Sequence, residues 1–522
     1  MFKVFVLLCT CWCLIKLSFE HCEESNINFV SVILTCVNGT QSFPNTTKTV
    51  LMLRCLDCNI PLLDEKTILK KFDGDAFNMS NSHVQVISAG AFKQFRRSMR
   101  RFLFQNNEVN YIAPKTFSNF TILEEINFRN CRIAQLEPDV FNGTTTTHLD
   151  LSQNLLTNIS KTLDGLKVLM LNLSSNRIKN IPEDSFDKVT FNLGRFYTEF
   201  SVLDLSNNVI QRIYPNTFKT PERTNSIVML TLSKNLITTI ESKTFLKTPF
   251  LRILVLNQNL ISQLATDSFK GLTNLVSLDL QRNHIQKIPT SLFADLQKLE
   301  FLDLSQNYLT AIDSTTFSGL INLKGLNMSH NNLKTFDDVQ LFPLVGLISL
   351  DISDVRIHTI NLKSILQHHW RLKILVLNDN FWTCKQLTKM YKQLSRQFNG
   401  FNFPAQHFDV SNLHGIACSK DELKSYDTLT FDDFYNIIAQ ESIDPNSFID
   451  DDLPINKIME NVIKNIAIVK SMSIIIAIVL IVLFLQFIVR SILMCLKQYN
   501  IVNKTKFSFF YNQDQDTVKV LP

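Results

Sequence analysis

A short apolar pattern returns about every 24 residues through most of this 522-residue chain. It reads apolar, two variable residues, apolar, variable, apolar, two more variable residues, a ladder residue, variable, apolar. The clearest copies are LVSLDLQRNHI (275–285), LEFLDLSQNYL (299–309) and LKGLNMSHNNL (323–333), and a Phe often follows eight positions further on. One unit of this size cannot bury its own apolar side. It must stack on its neighbours, so the period predicts a solenoid, with about 14 turns if each match is one turn.

The ladder residue narrows the reading. It is Cys58, Ser82, Asn107, Cys131, Asn154, Asn176, Asn208, Asn235, Asn259, Asn283, Asn307, Asn331, Val355 and Asn380. Where the chain leaves a short strand and turns, buried backbone groups need partners, and an inward Asn amide both donates and accepts. Cys or Ser does part of this. Val355 does neither, so a local irregularity or an ordered water is expected there. The spacing is 24 between positions 259, 283, 307 and 331, but 32 between 176 and 208 and 27 between 208 and 235. The extra residues, around 190–199 and 219–225, are expected as loops.

The two ends suggest where the chain resides. Residues 1–18 hold Lys3 and the run VFVLLCTCWCLI, too short to span a bilayer and typical of a cleaved secretory signal. Residues 471–489, SMSIIIAIVLIVLFLQFIV, form nineteen positions without a charge, enough for one transmembrane helix. Arg490, Lys497, Lys504 and Lys506 follow closely, against Lys464 and Lys470 before. That bias predicts a cytoplasmic C-terminus, hence a single-pass type I protein of the plasma membrane with its N-terminus outside. The expected organisation is a signal (1–18), an N-terminal cap (19–49), repeats (50–383), a C-terminal cap (384–420), an acidic stalk and juxtamembrane segment (421–470), the span (471–489) and a short tail (490–522).

Cysteines and sequons agree with an oxidising, extracellular setting. Cys22 and Cys36 bracket a β-rich segment ahead of the repeats, and Cys384 and Cys418 bracket the segment after them. Each pair is expected to close a disulfide cap over an exposed end of the stack. Cys55, Cys58 and Cys131 fall on inward repeat positions, and Cys58 lies three turns from Cys131, roughly 15 Å at about 4.8 Å per stacked strand, beyond disulfide reach. A buried free thiol is therefore expected, at Cys131. Cys495 sits at the cytoplasmic membrane edge, open to palmitoylation. Sequons stand at Asn38, Asn45, Asn78, Asn119, Asn142, Asn158, Asn172 and Asn327 outside, and at Asn503 in the tail. Glycans are expected on several of the outer ones. Asn78, Asn172 and Asn327 occupy a strand position expected to face outward, leaving a glycan-free window between the turns of Asn208 and Asn307.

Outward strand positions in that window read Val202, Met229, Ile253, Val255 and Phe301, with Asp204, Asp279 and Asp303 beside or between them. They are expected to form a partner-binding patch with an apolar middle and acidic flanks. Residues 421–454 carry ten acids and one Lys and read as a solvated stalk, in which Tyr426 and Tyr435 are candidates for sulfation. The tail, about 33 residues long, cannot hold a folded signalling domain. Net charge is only +5, which gives no reason to expect nucleic acid. No phosphate loop, nucleophile elbow or HExxH appears, and CLDC (55–58) is accounted for by repeat register. His368, His369, His407 and His414 have no partner cysteines, so neither metal, cofactor nor catalysis is expected.

Repeats of this kind with a signal and one span resemble extracellular leucine-rich repeat receptors, including Toll-type ectodomains and neuronal adhesion proteins. The C-terminal cap departs from their common CxC form. A single Cys in NDNFWTC (378–384), then HGIAC (414–418), is similar to the insect leucine-rich repeat immune proteins, in particular their membrane-anchored subclass. The resemblance covers about residues 50–383 and the cap. It implies an α/β solenoid of horseshoe form and a cell-surface recognition protein or co-receptor in innate immunity, binding protein or glycan ligands. A cell-adhesion or developmental guidance role is the alternative. No long heptad coiled coil follows the cap and the stalk has no Cys, so the disulfide-linked heterodimer of secreted members is not implied.

Overall fold

The computed structural model describes residues 21–390 except 28–30, 38–40, 44–48, 68–71, 96–97, 122, 184, 192–200, 222–226, 334–335 and 388–389, together with 412–413 and 416–417. The chain divides into two compact units, Met1–Ile438 and Ala439–Pro522, and the second lies outside the described residues. The first is a β-solenoid of about 12 turns. Its continuous sheet has 16 strands, from His21–Asn26 to Ile374–Val376, and only the first pair runs antiparallel. Every later neighbour is parallel, with register shifts at Val32/Ile33, Val50/Met52 and Ser201/Val202, and Leu254, Leu278, Leu302 and Leu326 sit side by side as one inward row. Parallel strands need a crossover. Here each crossover is the rest of one repeat.

Three devices in each repeat make that crossover short. The ladder Asn turns inward and ties two turns together. Asn154 Oδ1 accepts from the Cys131 and Ile133 amides, each at 3.0 Å, while Nδ2 donates to Phe128 O at 2.8 Å and Leu151 O at 2.9 Å. The residue just before the ladder position adopts left-handed backbone, from Asp57 and Asn81 through Lys234, Gln258 and Arg282 to Asp379. It swings the chain out of the strand without glycine, at a cost of about 1 to 2 kcal/mol per residue that the buried bonds beside it offset. Phenylalanines then line the far side. Phe186, Phe218, Phe245, Phe269 and Phe293 stack in file at 6.1 to 6.3 Å between ring centroids, within the range for favourable aromatic contact.

Some sequence expectations need correction. The far side is almost free of helix, which makes the fold a β-solenoid rather than α/β. Among the described residues there are 3-10 turns at Lys93–Phe95 and Asp338–Leu341, an α-helix at Leu362–His368 and helical residues at 384–387, after the last repeat strand. A 24-residue repeat spends most of its length on strand, ladder turn and Phe corner, and little remains to propagate a helix. CLDC is more than repeat register, because Cys55 and Cys58 are bonded to each other. Left-handed Asp57 (φ 58°) folds the chain back between them and leaves their Cα atoms 5.8 Å apart, an ordinary bridging separation.

Other expectations stand. Cys22–Cys36 is a disulfide across the antiparallel edge pair, and Cys131 is free and buried. Burial pushes its thiol pKa up to about 12. Cys384 is disulfide-bonded. Cys418, the signal at 1–18, Asn38, Asn45, Asn503, the stalk at 421–470, the span at 471–489 and the tail lie outside the described residues, among which no helix is long and apolar enough to cross a membrane. At Val355 the turn is irregular in a specific way. The Asn331 amide, with no side-chain acceptor in the next turn, donates instead to Asp354 O at 3.2 Å, and His330 Nδ1 meets Asp354 Oδ2 at 2.8 Å.

Candidate binding surface

Strand register turns the expected patch into two columns. Met170, Val202, Met229, Ile253, Ser277 and Phe301 stand one above another, and Asn172, Asp204, Thr231, Val255, Asp279 and Asp303 stand beside them. The apolar residues therefore run parallel to the acidic ones instead of being flanked by them at each end. Val202, Met229, Ile253, Val255 and Phe301 are half-buried, as is Asp204. Asp279 and Asp303 are buried, with Asp303 only 1% exposed.

The acidic column has a backbone role that sequence reading missed. In most turns the carboxylate or amide Oδ1 at this position accepts the amide N–H two residues on, as in Asp150 to Ser152 (2.8 Å), Asn172 to Ser174 (3.0 Å), Asp279 to Gln281 (2.9 Å) and Asp303 to Ser305 (2.7 Å). This Asx turn ends the strand. Arg54, Leu103, Thr231, Val255 and Val376 replace it in five turns. The signal in the sequence is an Asp or Asn between the two strand leucines, which reads as a surface position.

Burial changes the chemistry of the acids. Loss of hydration pushes the Asp303 carboxyl well above the usual carboxylate range, and nearby Asp279 adds to this, while Ser305 opposes it. Asp351 is raised for the same first reason. Asn327 does not share the exposure expected of a glycan acceptor. It is 3% exposed, and its Nδ2 donates to Asp303 Oδ2 at 3.3 Å. Asn78 and Asn172 are half-buried, and Asn119, Asn142 and Asn158 are exposed.

The histidines are scattered. His369 is buried with Nδ1 donating to Leu344 O at 3.1 Å, and burial depresses its pKa. His368 Nδ1 lies 2.9 Å from Ser364 O, and His407 and His414 lie outside the described residues. Trp370 is 72% exposed with the Arg371 guanidinium 4.8 Å from its ring centre. Among the described residues no three metal-ligating side chains converge.

The chain matches the leucine-rich repeat family at residues 123–178, 225–285, 249–309, 273–333 and 298–357. The matched segments are leucine-rich repeats. The human leucine-rich repeats and immunoglobulin-like domains protein 3 is 27% identical over 170 residues, which cover 32% of this chain and 14% of that protein. This chain thus aligns with a small part of that relative. Among solved structures, the APL1 leucine-rich repeat domain aligns over 74% of this chain and 97% of its own, with 21% identity and a TM-score of 0.51. The Drosophila Toll–Spätzle complex aligns over 69% and 56% with 20% identity and a TM-score of 0.47. These leucine-rich repeats thus share the APL1 domain's fold.

Proposed function

We propose that the chain is a cell-surface recognition protein or co-receptor, anchored by the span at 471–489 with its leucine-rich repeats outside, and that it serves innate immunity by binding a protein or glycan. The observation that carries the reading is the half-buried apolar column Val202, Met229, Ile253 and Phe301, lying in the stretch between Asn172 and Asn327 that holds no sequon. A side-chain column on a rigid parallel sheet is preorganised, which lowers the ordering cost of association. The single-Cys cap sequence, which resembles that of insect leucine-rich repeat immune proteins, supports the immune setting. We further propose that the ectodomain comprises about 14 turns closed by a Cys384–Cys418 cap, with Cys495 open to palmitoylation, and that any signalling passes through a second membrane protein.

The test uses the full-length chain on cultured cells. Transcript and surface protein should rise after microbial challenge, and soluble microbial or host ligands that bind the parent should fail to bind Phe301→Asp and Ile253→Asp at equal surface level. A fixed developmental pattern, with aggregation of expressing cells and no response to challenge, would instead establish the adhesion reading.

A further inference from the structure

The flank where the chain leaves each strand and rounds the ladder carries a second surface, of opposite charge to the sheet face. One position after the ladder residue, five successive turns present Val209, Leu236, Leu260, His284 and Tyr308, all exposed, with Tyr308 the most open of the apolar four at 56%. The rings of His284 and Tyr308 lie 5.5 Å apart. Four steps of about 4.8 Å make this an unbroken stripe roughly 19 Å long. Isolated exposed apolar residues are ordinary, but a contiguous row marks an interaction surface.

Cations border the stripe. Lys234 and Arg282 stand two positions before it in their turns, and Arg212 and Lys287 three positions after. Among the described residues at the flank positions of these five turns there is no carboxylate. Asp204, Asp279 and Asp303 sit on the sheet face, and Glu241, Asp267, Asp295 and Asp313 lie further along these turns, past the flank. The amides of Val209, Leu236, Leu260 and Tyr308 already donate to carbonyls of the preceding turn, at 2.9 to 3.1 Å. A partner therefore has no free edge to extend by strand addition and must engage the side chains.

We infer that this flank docks an acidic protein partner, which lays an apolar ridge along Val209, Leu236, Leu260 and Tyr308 and sets its carboxylates against Lys234, Arg282, Arg212 and Lys287. Cations spaced about one per turn are sparse for a sulfated polysaccharide, which also has no apolar surface to cover the stripe. A protein satisfies both halves of the pattern, and complementary charge at the border speeds and orients such encounters. The inference rests on the reading that the repeats bind protein.

The experiment takes full-length protein in detergent and selects binders from a random peptide library displayed on phage, with heparin oligosaccharide as a second probe. Selected peptides should be rich in Asp and Glu interleaved with Leu, Phe or Tyr. Their affinity should fall by about tenfold or more, the loss expected for a central anchor, in Leu236→Asp with Leu260→Asp and in Arg212→Glu with Lys287→Glu. It should be unchanged in Ile253→Asp. All positions on the flank are exposed, and Leu236→Ser replaces the aspartate if melting shows a folding defect. Peptides that respond to Ile253→Asp but not to the flank variants would overturn the flank inference while leaving protein binding intact. Heparin binding that is lost in Arg212→Glu with Lys287→Glu but not in Leu236→Asp would overturn it in favour of a polysaccharide. A library that yields no binder would reject both the flank and the protein-binding reading.

Discussion

Asn283→Ala removes one rung from the middle of the ladder. The Asn283 amide is 2% exposed; its Nδ2 donates to Leu256 O, Leu280 O and Gln281 O at 3.1, 3.0 and 3.2 Å, and its Oδ1 accepts from the Ile261 amide at 3.0 Å. Truncation strands Leu256 O, Leu280 O and the Ile261 N–H in the interior, at about 1 to 3 kcal/mol each. Part of this is recovered. At the Cys131 rung, where no amide is available, the Val109 N–H donates to the Cys131 backbone carbonyl at 2.8 Å, and a water can enter the space an Asn leaves if it finds two or more partners. We therefore expect a net loss of about 2 to 4 kcal/mol. Asn283→Asp should lose more at pH 7, since it keeps the acceptor, removes the donors and buries a charge. Asn257→Ala is the control. Asn257 is half-buried and not directed into solvent, but its Oδ1 has no hydrogen-bond partner, so its removal should change stability by no more than about 0.5 kcal/mol. Calorimetric melting of the three variants, with hydrogen exchange at the Ile261 amide, measures the effect. Equal shifts for Asn283→Ala and Asn257→Ala, or unaltered exchange at Ile261, would refute the ladder argument.

Native protein should leave Cys131 unlabelled by maleimide at pH 8, because the thiol is buried and its pKa is pushed to about 12; rapid labelling without unfolding would show that the fourth rung opens. Cys36→Ser should cost about 2 to 5 kcal/mol by freeing the antiparallel edge pair, seen as early loss of N-terminal protection on heating, and an unchanged melt would argue against the cap's importance. Burial raises the folded-state pKa of Asp351 above its unfolded value, so the native state binds that proton more tightly and the burial penalty, present at neutral pH, is relieved as pH falls through the raised pKa. His330, raised chiefly by Asp354, acts in the same sense: its stabilisation is full below its unfolded pKa and lost as pH rises through the folded one. Mild acidification should therefore raise the melting temperature, and Asp351→Asn, which keeps the acceptor for Ser353, should be more stable at pH 7 and gain less from acid; an identical pH response in parent and variant would remove Asp351 from the account.

The repeat, its inward rows and the ladder were legible because each is a spacing rule. Leu278, Leu302 and Leu326 fall on one row whatever the loops do, and Asn283 and Asn307 turn inward because buried backbone demands it. What stayed hidden depended on backbone conformation. Nothing in CLDC announces that Asp57 adopts a left-handed φ and brings Cys55 to Cys58, and nothing in the helix-tolerant sequence after each ladder residue says that short turns will largely replace α-helix. The patch at Val202, Met229, Ile253, Val255, Asp279, Phe301 and Asp303 was placed on the correct strands, but its arrangement needed the register. Alternation alone gives the face, whereas pairing puts Asp279 under Asp303 and Ser277 under Phe301. The burial of Asp303 and Asn327, and the flank stripe, follow from neighbours in other turns, which linear spacing does not reveal.

The strand-ending Asx turn has a consequence for how such a surface diversifies. Its bond uses one side-chain oxygen, which Asp and Asn supply equally, as Asp150, Asn172 and Asp303 do in their own turns. A single-base exchange between the two residues therefore leaves the turn intact and alters only whether that point of the sheet carries a negative charge. A lineage can thus rewrite the electrostatic message of the sheet one turn at a time, by mutations that the backbone hydrogen bonding does not register.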